Sequence, residues 1–173
     1  IWHIARTSEL DLGTTIDRLM ASGLDSIPGG GAEILDDEVR RRIAPLKCST
    51  DEWLTVMRAA HQKGLRSTAT LMFGVGEEPR HRVNHFLRLR ELQDETGGFM
   101  CFIPLAFHPD GNGMKQLPGT TGIDDLRTLA VSRLMLDNVD HLKAYWVSST
   151  PKVAQIGLAF GADDVDGTIV SET

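Results

Sequence analysis

Cysteine is nearly absent from this chain and forms no motif. Cys48 and Cys101 are the only two cysteines, and they stand far apart in the sequence. A disulfide framework needs more cysteines, and a CxxC metal site needs closer ones. We therefore expect two reduced thiols, as in a protein of the reducing cytoplasm.

Long apolar runs and an excess of basic residues are missing too. No run approaches the roughly 20 apolar residues that cross a bilayer, so no membrane association is expected. The net charge of −6 offers no basic stripe for nucleic acid. With 41% hydrophobic and 24% charged residues, we expect one globular domain over 1–173 with a small-molecule partner. A start at Ile1, with no signal-peptide pattern, is typical of a piece of a longer protein.

Short apolar or β-branched runs alternate with amphipathic stretches, which predicts a parallel sheet covered by helices. The predicted strands are residues 1–5, 24–27, 66–73, 99–107, 142–147 and 166–171. The predicted helices are residues 14–21, 33–42, a segment opened by a capping box at 49–52, 79–94, 124–138 and 151–160. This α/β pattern fits either an open doubly wound sheet or part of a (β/α)8 barrel.

A run of three glycines separates the second predicted strand from a helix. Gly29, Gly30 and Gly31 allow backbone N–H groups to approach a ligand, and Glu33 supplies an acceptor. No Walker motif and no GxGxxG spacing is present, so a phosphate site is poorly supported. A tight turn with an exposed glutamate is the alternative interpretation.

Polar residues also follow the next two predicted strands. Thr70, Met72, Gly74 and Glu77 lie at the end of the strand over 66–73, and His108 follows the strand over 99–107. In a barrel, ligands gather at the C-terminal ends of strands. The alternatives are a solvated acidic helix start and a loop-capping histidine.

Two further groups of ionisable residues suggest ligand chemistry. Asp163, Asp164 and Asp166 form an acidic cluster suited to hydroxyls, amides or a cation, although Asp and Gly also form simple turns. His81 and His85 have the i, i+4 spacing of metal ligands, but the arginines around them favour a solvated basic face. We therefore predict no metal site in this chain.

Several motifs, in order, resemble one family of enzymes. The segments GLDSIPGGGAEIL (23–35), 53–64 and LQDETGGF (92–99) resemble the menaquinone and deazaflavin branch of the radical S-adenosylmethionine (radical SAM) enzymes. The segments FIPLAFHP (102–109), LPGTTG (117–122) and FGADDVDGT (160–168) look most like those of the aminodeoxyfutalosine synthases. The resemblance covers essentially the whole chain and favours the barrel over the open sheet.

The resemblance implies a partial (β/α)8 barrel of TIM type with about the last six strands, the third to the eighth. It also implies S-adenosylmethionine and a [4Fe-4S] cluster, whose CxxxCxxC ligands are expected in an N-terminal part that this sequence lacks. In the family reaction, the 5′-deoxyadenosyl radical adds to 3-[(1-carboxyvinyl)oxy]benzoate and yields aminodeoxyfutalosine for menaquinone synthesis. A cytoplasmic enzyme with a donor such as flavodoxin or ferredoxin is implied.

Carried onto this sequence, the resemblance assigns roles to the candidate residues. His108 and Asp164 are the expected catalytic residues, and His108, Asp163, Asp164 and Asp166 are expected to meet the substrate. The expected cofactor contacts are Ser26, Gly29, Gly30, Gly31, Glu33, Thr70, Met72, Gly74 and Glu77. The alternatives are cyclic dehypoxanthinyl futalosine synthase, the deazaflavin-forming synthase, and an inactive cluster-free remnant that acts as a binding module.

Overall fold

The computed structural model describes residues 1–111 and 113–167. Its strands are β1 (Ser26–Ile27), β2 (Arg66–Phe73), β3 (Phe99–Ala106), β4 (His141–Ala144) and β5 (Asp164–Val165). Its helices are α1 (Trp2–Thr7), α2 (Leu12–Ala21), α3 (Asp37–Ile43), α4 (Thr50–Gln62), α5 (Pro79–Thr96), α6 (Gly122–Met135), α7 (Trp146–Ser149) and α8 (Pro151–Gly157), followed by a 3₁₀ turn (Leu158–Phe160).

The strands form one parallel sheet in the order β1-β2-β3-β4-β5, which is also their order in the chain. Helices join them, as the alternating pattern predicts, so the α/β class and the partial barrel are confirmed. Within the described residues, β1 and β5 are the edges, each paired on one side. A strand order that follows the chain is that of a barrel segment and not of a doubly wound sheet.

Helices cover one face of the sheet. Along β2, Ala69, Leu71 and Phe73 are buried, whereas the residues between them are half-buried. Helices α4 and α5 contact β2, and α6 contacts β3 and β4. Parallel sheets normally have both faces covered. The opposite face, called the open face below, is therefore the side on which a ligand or further chain has room to bind.

The sequence located several elements well because strong local signals define them. Strand β2 has the predicted bounds, and α4 begins with the predicted capping box, in which the Glu52 N–H donates to Ser49 Oγ at 3.2 Å. Helix α5 begins at the predicted Pro79 and ends at Gly97, whose φ of 60° suits a glycine C-cap.

The first predicted strand is wrong. Residues 2–7 form α1, with the helical hydrogen bonds from Ala5 N to Ile1 O and from Ser8 N to Ile4 O. This helix packs on α2 and α4, in the helical layer, and pairs with none of the described strands. A short apolar run does not distinguish a strand from a helix by its period.

Other predicted boundaries also need correction, among them the following three. Helix α3 begins at Asp37 and not at residue 33, because Asp36 caps it and Glu33 has a left-handed φ of 47°. Strand β4 ends at Ala144, and the residues predicted to extend it enter α7. The last described strand is Asp164–Val165; of the strand predicted over 166–171, residues 166 and 167 are not in a strand, and residues 168–171 lie outside the described part.

None of the described helices has the length and apolar composition that crossing a bilayer would require.

Candidate functional site

Side chains from all five strands share the open face. The pairing register aligns Thr68 with Cys101, Thr70 with Ile103 and Met72 with Leu105, and it aligns Cys101 with His141. Because side chains alternate along a strand, residues in register share one face. By this register the open face carries Ser26, Thr68, Thr70, Met72, Cys101, Ile103, Leu105, His141, Lys143 and Asp164. Its polar and charged members are unusual for the interior of a parallel sheet.

The glycine turn, residues 29–34, lies at the C-terminal end of β1 and is tied to β2. The Gly29 N–H donates to Thr68 Oγ1, and Thr70 Oγ1 donates to Gly29 O, both at 2.8 Å. The Met72 N–H donates to Glu33 O at 2.6 Å. The predicted cofactor residues of the turn and those of β2 are therefore in direct contact.

Two features of the turn suit ligand binding. An added Cβ at Gly30 or Gly31 would meet no atom within 4 Å, so both residues face open space. Gly31 has a φ of 84°, and Glu33 is one of the few non-glycine residues with positive φ. Strained residues of this kind cluster at functional sites. The Glu33 carboxylate forms an ion pair with Lys47.

A cleft of about 730 Å³ adjoins the turn. Its walls include Gly30 and Gly31, Trp2 of α1, and Trp53 of α4. Trp53 is otherwise a core residue, stacked 6.3 Å from Phe99 between ring centroids. The volume is within the range of small-molecule sites. The turn therefore has room on its outer side for a ligand.

The loop after β2 is held by Glu77. Its buried side chain accepts hydrogen bonds from Gly74 N at 2.9 Å and Val75 N at 2.8 Å. It also accepts from Arg82 Nε at 2.7 Å, and the Arg82 guanidinium lies 5.0 Å from the Phe73 ring centroid. With these donors in place, Glu77 shapes the loop around Gly74. Its predicted contact with the cofactor stays a prediction.

His108 lies just beyond β3 and contacts the segment after β4. Its Nε2 is 2.8 Å from Ser148 O in α7, and because a carbonyl only accepts, Nε2 carries the hydrogen. Ser148 Oγ in turn accepts from Ala106 N at 3.3 Å. His108 is therefore fixed at the C-terminal edge of the sheet, where a barrel site is expected.

The acidic cluster is divided between two places. Asp163 lies beside the start of β4, where it accepts from Leu142 N at 2.8 Å and pairs with Arg133 at 3.3 Å. Burial alone would raise the pKa of Asp163, but these partners lower it. Asp166 follows β5 and is three residues after Asp163, which corresponds to roughly 10 Å along an extended strand. Asp163 therefore holds β4 at the edge opposite to the one that His108 occupies.

Asp164 and Asp166 instead surround Lys143. The ammonium lies 3.3 Å from Asp164 Oδ2 and 3.2 Å from Asp166 Oδ1. Burial alone would lower the pKa of Lys143, but the two aspartates raise it, so the side chain keeps its charge. Sequence reasoning did not single out Lys143. Its alternation with Leu142 and Ala144, which are both buried, is the signal that it points to the opposite face.

Asp125 is a second chemistry-bearing residue that the sequence did not reveal. It lies in the first turn of α6 and is only 7% exposed, and its Oδ1 has no hydrogen-bond partner among the described residues. Burial raises the pKa of Asp125, although Thr120 and the charge of His108 act in the opposite direction. Ser148 lines the same small cavity. Two adjacent aspartates, such as Asp124 and Asp125, are common in the first turn of a helix, so the sequence gave no sign that Asp125 is buried.

His81 and His85 are buried and not part of a solvated basic face, so that interpretation is wrong for both. Nδ1 of His81 accepts from Glu78 N, and Nδ1 of His85 accepts from Leu35 N, each at 2.9 Å. In the neutral ring, Nε2 then carries the hydrogen and is no metal ligand. This argues against metal binding where His81 approaches Asp36 and Glu38.

The fold and these loops define an α/β barrel segment whose candidate binding groups lie at strand ends and on the open face. Residues 96–173 match the family described as the CofH/MqnC C-terminal region. Across 99% of its length, the chain is 49% identical to the aminodeoxyfutalosine synthase of Thermus thermophilus, of which it covers 47%. The chain is therefore similar along nearly its whole length to aminodeoxyfutalosine synthases and, over residues 96–173, to the CofH/MqnC C-terminal region.

Other members of this group are nearly as similar. The cyclic dehypoxanthine futalosine synthase of Streptomyces coelicolor is 41% identical over 98% of this chain and 43% of its own length. A 5-amino-6-(D-ribitylamino)uracil--L-tyrosine 4-hydroxyphenyl transferase of Methanosarcina mazei is 43% identical over 100% of this chain and 48% of its own length. The chain spans about half the length of the curated relatives it matches.

Proposed function

We propose that this chain is the part of a radical SAM enzyme of the aminodeoxyfutalosine synthase type that holds the nucleoside part of the cofactor and the substrate. The observation that carries the proposal is the 49% identity to an aminodeoxyfutalosine synthase across 99% of the chain. The identities of 41% and 43% to the sister enzymes are lower. The enzyme is proposed to act in the cytoplasm with flavodoxin or ferredoxin as electron donor.

The residues of the glycine turn fit S-adenosylmethionine. Gly30 and Gly31 leave space for close approach to the backbone, and Glu33 and Lys47 offer charges of both signs beside it. Ribose hydroxyls and an amino-acid group need such donors and acceptors. Thr70 and Met72 extend the surface on β2 beside the turn, with Gly74 beyond them, whereas Ser26 pairs with Arg66 at the start of β2 and lies further away. Bound there, the cofactor supplies the 5′-deoxyadenosyl group that is added to the substrate.

The residues of this chain do not fit a [4Fe-4S] cluster. Such clusters are held by several cysteine thiolates, and the chain has only Cys48 and Cys101. Burial raises the pKa of the Cys101 thiol to about 11, which keeps it protonated at neutral pH. The cluster of the proposed enzyme therefore needs ligands from outside this sequence.

The substrate 3-[(1-carboxyvinyl)oxy]benzoate carries carboxylates, and the proposed site offers groups that suit them. His108 presents an imidazole at the end of β3, and Lys143 is held on β4 by Asp164 and Asp166. Hydrogen bonds fixed in advance stabilise charge that develops during a reaction. We assign His108 and Asp164 to catalysis and Asp166 to the substrate surroundings, whereas Asp163, at the opposite edge of the sheet, holds β4 and does not reach this site.

The test uses the intact protein that contains this chain, reconstituted anaerobically with iron and sulfide. We expect it to convert S-adenosylmethionine and 3-[(1-carboxyvinyl)oxy]benzoate to aminodeoxyfutalosine, detected by mass spectrometry. Turnover of dehypoxanthine futalosine, or of 5-amino-6-(D-ribitylamino)uracil with L-tyrosine, would favour a sister activity. Failure to assemble a cluster, together with the absence of any turnover, would favour the cluster-free remnant that acts as a binding module. Full turnover by His108→Ala would remove the catalytic assignment of His108.

A further inference from the structure

The buried Arg40 of α3 carries an inference about how the glycine turn acquires its shape. Arg40 is only 3% exposed, and its nearest carboxylate is Asp37 Oδ1 at 3.9 Å. That oxygen is already engaged by Thr50 N and Thr50 Oγ1, both at 2.8 Å. A buried cation normally requires close compensation. For Arg40, backbone carbonyls provide this compensation.

Those carbonyls belong largely to the glycine turn. Arg40 donates to Gly31 O at 3.2 Å, to Ala32 O, and to Ile34 O at 3.4 Å. Its Nε also donates to Cys48 O at 3.1 Å, just before α4. The planar fork of an arginine can serve several acceptors at once in fixed directions, which a lysine ammonium cannot do. One side chain therefore fixes both the turn and the segment that leads into α4.

The remaining carbonyls of the turn are also engaged by protein donors. Thr70 Oγ1 donates to Gly29 O at 2.8 Å, Trp53 Nε1 to Gly30 O at 3.5 Å, and Met72 N to Glu33 O at 2.6 Å. Every carbonyl from residue 29 to residue 34 thus accepts a hydrogen bond. In contrast, the N–H groups of residues 30–34 have no acceptor among the described residues, and of these residues only Gly30 and Gly31 line the cleft beside the turn. These two donors are the ones that a ligand in the cleft can reach.

We propose that Arg40 is a positioning residue that draws the turn carbonyls inward and so presents the Gly30 and Gly31 N–H groups to the bound ligand. The ligand class is one with acceptor oxygens, such as a carboxylate or ribose hydroxyls, and this part rests on the proposed function. Arg40 itself does not contact the ligand. Its effect on binding acts through the shape of the turn.

The neighbouring arginine gives a matched control. Arg41 lies on the same helix but is exposed, and it makes no hydrogen bond to the turn. Arg40→Lys and Arg41→Lys each keep the charge and change only the donor geometry. Arg40→Ala supplies a third variant, in which a cavity of guanidinium size is open to added guanidinium ion.

The experiment measures two quantities in the intact protein. Hydrogen exchange followed by mass spectrometry reports on the peptide that contains residues 28–35, and calorimetric titration reports the affinity for S-adenosylmethionine. For Arg40→Lys we expect faster exchange confined to this peptide and at least tenfold weaker binding. Arg41→Lys should match the wild type in both. Added guanidinium, but not methylammonium, should restore binding to Arg40→Ala if that variant folds.

The outcomes separate this inference from the proposed function. Unchanged exchange in Arg40→Lys would overturn the role of Arg40, as would faster exchange with unchanged affinity. Faster exchange across the whole chain would also overturn it, because the effect would then be general destabilisation. If the wild type itself fails to bind S-adenosylmethionine, the proposed function fails, and the exchange data alone then decide whether Arg40 sets the turn.

Discussion

Acid should destabilise the protein through His61, a buried histidine in α4. Thr96 Oγ1 donates to Leu92 O, so it accepts from His61 Nδ1 at 2.8 Å. His61 Nε2, 2.7 Å from Ser67 Oγ, is then an acceptor, and the ring is neutral. Burial, aided by the charge of Arg66, lowers the pKa of His61 to about 4. A proton on Nε2 would force the Ser67 hydroxyl to turn from donor to acceptor and would place a charge in a buried site.

The sign and size of the effect follow from the pKa values. The unfolded chain binds the proton near pH 6.5 and the folded chain only near pH 4, so stability is present above 6.5 and falls as the pH drops. The full difference corresponds to about 3 kcal/mol, of which about 2 kcal/mol should be lost between about pH 7.5 and about pH 5. Burial also lowers the pKa of His85 to about 3, so His85 should contribute a similar loss of unfolding free energy over the same pH range.

The variant His61→Gln isolates the contribution of this one ring. Glutamine does not titrate, while His85 is the same in both proteins. We expect the wild type to be more stable near neutral pH and the gap in unfolding free energy to shrink by about 2 kcal/mol on acidification to about pH 5. Urea unfolding followed by tryptophan fluorescence measures it. A gap that stays constant over this range would refute the reasoning.

Three further predictions concern other buried groups. Gly98→Ala should cost about 1–3 kcal/mol of unfolding free energy, because a Cβ would lie 2.1 Å from the ring of His61, and thermal unfolding would measure the loss. Asp125→Asn should raise the free energy of unfolding, and the gain over the wild type should grow as the pH rises above 3.8, because burial raises the pKa of the carboxyl and so makes its ionised form unfavourable in the folded protein. A difference in unfolding free energy between variant and wild type that does not change with pH would contradict this. A thiol reagent at about pH 8 should label Cys48 and spare Cys101, whose thiolate fraction at a pKa of about 11 is roughly one in a thousand; equal labelling of both would argue against a protonated Cys101.

Local signals predicted the elements on which the fold depends. The Ser49–Glu52 capping box, Pro79 and the mixture of Thr, Leu, Met and Phe in β2 are local signals, so the sequence shows them directly. The apolar run over 145–147 led to the wrong prediction that β4 extends to residue 147. Strand β4 instead ends at Ala144, where its pairing with β5 ends. That limit is set by a neighbouring strand and not by the run itself. Tertiary contacts decide such short segments.

The candidate site was only partly visible for a similar reason. The glycine turn and the end of β2 were both predicted to carry ligand-binding residues, because ligands gather at the C-terminal ends of barrel strands. Arg40 was not predicted, because three successive arginines at 40–42 are typical of a solvated helix face. Its burial depends on how α3 packs against the turn. Lys143 and Asp125 likewise gain their roles from neighbours distant in sequence.

The central claim is that the glycine turn binds the cofactor, and Gly30→Val tests it most directly. The Cβ position of Gly30 meets no atom within 4 Å and its φ is not positive, so the substitution should leave the fold intact. Gly113, also in open space, provides the matched Gly113→Val control. In calorimetric titration of the intact protein, we expect Gly30→Val to bind S-adenosylmethionine at least tenfold more weakly than the wild type, with an unchanged unfolding temperature and a normal control. Wild-type affinity in Gly30→Val would contradict the account.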